Sequence, residues 1–319
     1  MNSWPHMAAI SEYFMTSDSL TSEQKNTGQH WLNLALLMLP PLFWAGNFIV
    51  GRAVRGEIPP MTLSFFRWIV ASLILLPFSW KMVRRDLPLY WRNRWLILGV
   101  SVAGITAFNS LIYLGLQSTS VTNGIILNSF IPLLIVLLGA LFFGYSIHRL
   151  QVAGMLVSFT GVLVIVIRGD WSVLATLSFA HGDLIILSAM VCWALYTIWI
   201  KNMPADINRL GLLSVQMVVG LVFLLPFYGW ELMNKPAPVW NTHSLLSLAY
   251  VGLAPSVLAF LLYNACVARL GPERAGLSIH LMPVFGAALS VLLLGESIHI
   301  YHLAGALLIF SGILVASRR

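Results

Sequence analysis

Gly144-Tyr145-Ser146-Ile147-His148 recurs 151 residues later as Gly295-Glu296-Ser297-Ile298-His299. The same offset carries Pro132 onto Pro283, Ala153-Gly154 onto Ala304-Gly305, Phe159 onto Phe310 and Gly161 onto Gly312. Between 144–164 and 295–315, eleven of twenty-one positions are identical. Both copies lie in long apolar runs. A duplicated half buried in lipid is the sequence mark of a membrane fold with a solute site between its halves.

Composition supports lipid as the solvent. The chain is 59% hydrophobic and 9% charged, where soluble proteins carry roughly 25% charged residues. A spanning helix needs roughly 20 apolar residues. Ten such runs are present, at about 32–50, 61–80, 95–115, 121–143, 150–167, 182–200, 210–229, 244–268, 275–295 and 299–317. Barrel strands would alternate apolar and polar residues along short segments, and these runs do not. The expected fold is all-α: ten transmembrane helices arranged as two five-helix repeats, 32–167 and 182–317, behind a disordered cytoplasmic leader, 1–31. The leader has no basic segment feeding a short apolar stretch, so no cleavable signal is read.

The net charge of +7 is an orientation signal rather than a nucleic-acid footprint. With the N-terminus inside, thirteen Lys and Arg fall on inside segments. Only Arg52, Arg55, Arg168 and Lys235 fall outside, with Arg67 left within a helix. The positive-inside rule then places both termini in the cytoplasm, and a bacterial inner membrane is the expected location. Five spans per half is an odd number, so the second half enters from the opposite face and the repeats are inverted.

Gly154 and Gly161 are two helical turns apart, as are Gly305 and Gly312. Each pair therefore shares one face suited to close helix packing. Pro132 and Pro283 fall mid-membrane, where each removes a backbone hydrogen bond. They read as kinks or hinges. Cys192 and Cys266 have no metal spacing and read as small packing residues. No metal site and no cofactor is expected.

Trp44-Ala45 in the first helix matches Trp193-Ala194 in the sixth. Together with Phe43-Trp44-Ala45-Gly46-Asn47, Phe65-Phe66-Arg67-Trp68, the paired prolines and Leu294-Gly295-Glu296, the chain resembles the drug/metabolite transporter superfamily in its EamA-type branch. The resemblance spans 32–317. It implies inverted repeats around a central cavity lined by the first, third, fourth, sixth, eighth and ninth helices. It also implies export or exchange of small metabolites without ATP. Members often carry an acidic residue at the end of the fourth helix, matching the one at the ninth. Here Tyr145 stands opposite Glu296.

Polar groups in lipid tend to face a cavity or a partner. The candidate substrate-binding residues are Trp44, Asn47, Phe48, Asn109, Tyr113, Asn128, Trp193, Tyr196, Thr197, Tyr263, Asn264 and His280. Amides and aromatics with little charge suit a neutral or zwitterionic solute such as an amino acid. No carboxylate lies near a helix centre. Proton coupling through His280 and coupling to a counter-substrate both stay open. The expected activity is secondary export of small metabolites by alternating access. A membrane-embedded enzyme is one alternative, but the eight His are scattered. A channel or lipid-handling protein is another, but no polar stripe or filter is evident. No phosphate-binding Gly-rich lysine motif for ATP occurs.

Overall fold

The computed structural model describes residues 6–54, 56–115, 118–119, 121–176, 181–294 and 297–317, with side chains described from residue 28 on. Among them there are helices and turns and no strand. Nine of the described helices are long and apolar enough to cross a membrane. The tenth expected run, 275–295, is helical in pieces: Pro272–Ser278, a 3₁₀ turn over Ile279–Leu281, and Met282–Leu294. Pro283 has no N–H, and its ring crowds the carbonyl four residues earlier. The helix therefore tightens just before it. The fourth run breaks at the equivalent place, between Val121–Asn128 and Ile131–Phe143, just before Pro132. The first helix runs over His6–Ala53, so its backbone begins inside the segment read as a disordered leader.

The inversion is legible in the contacts. The fifth helix, Arg149–Val166, packs along the tenth, Ile300–Ser317. A Cβ placed on Gly154 would lie 2.5 Å from the Gly312 carbonyl oxygen, and one on Gly312 would lie 2.5 Å from that of Gly154. The matching values for Gly161 and Gly305 are 2.6 and 2.7 Å. Gly154 is thus beside Gly312, and Gly161 beside Gly305. The helices run antiparallel. Moving 151 residues exchanges one contact for the other, as a two-fold rotation perpendicular to both helices requires.

The second helix, Pro60–Arg92, and the seventh, Arg209–Asn234, obey the same operation. They share Leu-Leu-Pro-Phe at 75–78 and 224–227, a match absent from the sequence analysis, at the same offset of 149 that relates Trp44 to Trp193. Phe65 stacks on Tyr228 with ring centroids 4.4 Å apart, and their equivalents Ser214 and Ser79 pair at 2.7 Å. The ends are clasped reciprocally. Glu231, near the end of the seventh helix, accepts Met61 N–H, Thr62 N–H and the Thr62 hydroxyl at 2.6–3.1 Å. Asp86, near the end of the second, accepts the Asn208 N–H at 2.8 Å, and Arg85 pairs with it. Each carboxylate satisfies donors at the start of the other helix, where N–H groups have no partner within their own helix.

A further repeated device lies in the third and eighth helices. Each contains a π turn, Val102–Ala107 and Ala254–Leu258. Phe108 N–H bonds the Ala103 carbonyl, and Ala259 N–H bonds that of Ala254, again 151 residues apart. Such turns insert one residue into a helix and recur at functional sites.

Candidate functional site

Two pairs of repeat-equivalent residues meet near the axis. Trp44 packs edge-to-face on Trp193, with centroids 5.2 Å apart. His280 pairs its Nε2 with the carbonyl oxygen of Ser129, 2.9 Å away and 151 positions earlier. A carbonyl only accepts, so Nε2 carries the proton. The Nδ1 pairs with the Ser158 hydroxyl at 2.8 Å, which donates to it when the ring is neutral. His280 is fully buried. It bridges the fourth, fifth and ninth helices where the two broken helices cross. Asn128 lies beside this crossing, its amide 3.9 Å from the Met282 sulfur.

The aromatic centre is built from Trp44, Trp193, Tyr196 and Tyr263, with Phe260 and Phe108 added. The last two were absent from the expected set, because apolar residues in a long apolar run carry no local signal. Trp44 donates its indole N–H to the Pro255 carbonyl, 3.1 Å away in the eighth-helix π turn. At the equivalent place in the third helix, Gly104 faces the Tyr196 ring instead.

Between this centre and the Asp86 end lies a hydrogen-bonded layer. Tyr196 donates its hydroxyl to Asn264 Oδ1 at 2.7 Å. Thr197 donates to the Trp193 carbonyl and takes the Tyr263 hydroxyl, both at 2.9 Å. All four side chains are buried. Four of the expected residues thus close on one another across the sixth and eighth helices.

Toward the Glu231 end the arrangement differs. Asn47, the repeat equivalent of Tyr196, is only partly buried. Its Oδ1 lies 3.5 Å from Arg67 Nη1, and Arg67 Nε donates to the Ser256 hydroxyl at 2.8 Å. Ser256 in turn donates to the Val251 carbonyl. The guanidinium also lies 5.1 Å from the Trp68 ring centroid, a cation–π distance. Asn109 turns back onto the Ile105 carbonyl of its own π turn at 3.4 Å. The side chains of Phe48 and Tyr113 lie outside the described residues, as does Glu296. Opposite Glu296 in the repeat, burial pushes the Tyr145 phenol above its ordinary value. No group of His, Cys, Asp and Glu suited to a metal occurs among the described residues.

Comparison with known proteins agrees with this architecture. The profile of the EamA-like transporter family matches twice, over residues 31–167 and 180–318. The uncharacterized transporter YyaM of Bacillus subtilis (strain 168) is 29% identical over 295 residues, covering 90% of this chain and 94% of its own. A probable terminal-alkyne amino-acid exporter of Streptantibioticus cattleyicolor is 28% identical over 289 residues, covering 89% and 92%. A probable amino-acid metabolite efflux pump of Salmonella typhimurium is 26% identical over 297 residues, covering 88% and 93%. One solved crystal structure shares the fold with a TM-score of 0.68 at 17% identity, covering 90% of this chain and 96% of the other. These relatives are named as transporters and pumps, not enzymes. With its duplicated match and its apolar helices, the chain is a multi-pass membrane transporter, and it belongs to the EamA-like transporter family.

Proposed function

We propose that this protein is a secondary exporter of small neutral or zwitterionic metabolites, amino acids among them. It works by alternating access between two inverted five-helix repeats. Both termini face the cytoplasm of a bacterial inner membrane, which puts the Asp86 end inside and the Glu231 end outside. The observation that carries the reading is the unequal treatment of repeat-equivalent positions. Tyr196 is sealed in a bonded layer, and Asn47 is partly open. An inverted-repeat carrier changes state by letting its halves exchange roles, so such inequality is what one of its two states should have. Relatives named for amino-acid and amino-acid metabolite efflux support the substrate class. The amide and aromatic side chains around the axis suit it as well.

Proteoliposomes loaded with single unlabelled amino acids test this by counterflow of the labelled one. Saturable, ATP-independent counterflow is expected, with a loss of about tenfold for Asn47→Ala, about the worth of a hydrogen bond in free energy. Non-saturable flux would mark a channel, and a chemically altered product would mark an enzyme.

A further inference from the structure

Resting on that reading, we infer that Arg67 and Gln216 are a repeat-related pair of substrate-binding stations, and that Arg67 takes the substrate's carboxylate. The two residues are equivalent by the Leu-Leu-Pro-Phe offset of 149, because nothing interrupts either helix between them and that motif. Contacts along the second and seventh helices place the two-fold axis close to Ser72 and Leu221, midway between the Phe65–Tyr228 and Ser79–Ser214 pairs. Arg67 and Gln216 are each five residues from it, on opposite sides. At 1.5 Å per residue that is about 7–8 Å along each helix. One station therefore lies in the Glu231 half and the other in the Asp86 half.

Both face inward and both are buried. Each sits on the face of its helix that meets a π turn. Arg67 bonds Ser256 in the eighth-helix turn. Gln216 is one helical turn before Gly220, which packs on Ile105 in the third-helix turn and accepts a hydrogen bond from Thr106. Neither amide atom of Gln216 has a hydrogen-bond partner. A buried amide left this way costs stability. Polar residues inside membranes are kept for function.

The chemistry at Arg67 favours a carboxylate. Its planar guanidinium presents paired N–H donors that match a carboxylate's two oxygens. Its contact to Asn47 is 3.5 Å long, at the outer limit of a hydrogen bond. Asn47 keeps accessible surface, so a carboxylate arriving from that side can replace Asn47 as a partner of the guanidinium. The second helix is not among those the resemblance expects to line the cavity, and Arg67 is not among the expected substrate-binding residues.

The test uses the intact protein in proteoliposomes. The probes are L-leucine with 3-methylbutylamine and L-phenylalanine with phenethylamine, each amine being the amino acid without its carboxylate. Wild type is expected to carry the amino acids at least tenfold better than the amines. Arg67→Gln should erase that preference, and Arg67→Lys should restore part of it. Gln216→Leu should slow amino-acid counterflow about fivefold while raising the melting temperature, since an unpartnered amide gives way to an apolar side chain. A merely structural Gln216 would show the thermal gain with wild-type flux. Equal transport of acid and amine by wild type, or an intact preference in Arg67→Gln, overturns the carboxylate station. In both cases transport persists and the exporter reading survives. If wild type carries no amino acid of the counterflow panel, that reading falls first and the stations fall with it.

Discussion

The glycine seam and the aromatic centre lie on one pseudo-two-fold axis and obey it to different degrees. In the seam, Gly154–Gly312 and Gly161–Gly305 approach to nearly identical distances. In the centre, Trp44 bonds a carbonyl of one π turn, and the other turn meets a tyrosine ring. The layers on either side differ further: Tyr196, Thr197, Tyr263 and Asn264 are bonded and buried, and Asn47 is partly open. A set of contacts that the rotation leaves unchanged, each becoming its twin, is indifferent to which half plays which role. A contact that breaks the symmetry must be remade when the roles exchange. The seam is therefore suited to hold the axis, and the centre to register the state.

The largest effect is expected from breaking the seam. A leucine at Gly161 or Gly312 would drive side-chain atoms into the facing backbone, which has nowhere to move. Overpacking costs about 1–3 kcal/mol and more against rigid atoms. Most of the protein should be lost from the folded peak in detergent size-exclusion, and a Gly161→Leu variant that melts like wild type would refute the seam.

The clasps of the second and seventh helices come next. Glu231→Ala strands two backbone N–H groups and the Thr62 hydroxyl. An unsatisfied buried donor costs about 1–3 kcal/mol. A clear fall in melting temperature is expected, with Glu231→Gln in between because it keeps an acceptor. Equal melting of Ala, Gln and wild type would show that the carboxylate supports nothing.

The smallest effect separates the two layers. Tyr196→Phe removes one hydrogen bond to Asn264, worth about 1 kcal/mol. Cys266 is fully buried two residues beyond Asn264. In a Cys192→Ser background, its labelling by a maleimide from the Asp86 side should quicken about fivefold, since 1.4 kcal/mol is a factor of ten. Unchanged labelling would detach this layer from closure.

Much of the architecture was legible in the residues. The repeat named the seam glycines and the paired tryptophans, because close packing needs a missing Cβ and indoles stand out in an aliphatic run. The prolines marked the breaks in the fourth and ninth helices, because a missing N–H acts locally. The same locality explains why 275–295 read as one span yet folds as two pieces. Asp86 and Glu231 looked like ordinary charges at helix ends. Their reciprocal clasp depends on which helix starts beside each carboxylate, and spacing along one chain does not encode that. His280 read as a site residue, and its two partners come from Ser129 and Ser158, 151 and 122 positions away.

From the sequence alone came the all-helical membrane fold, the duplication, the inversion implied by an odd number of spans, and a short roster of polar and aromatic residues within the bilayer. Those properties follow from segment length, hydropathy and parity, all of which are local or additive along the chain. Only the tertiary structure decided which of these residues meet: that Trp44 finds Trp193, that Tyr196 closes on Asn264, and that Arg67 and Gln216 lie on opposite sides of one axis. In lipid every helix is already apolar, so hydrophobicity cannot choose its neighbours. Close backbone approach and pairing of the few polar groups make that choice, and both are properties of helices in contact.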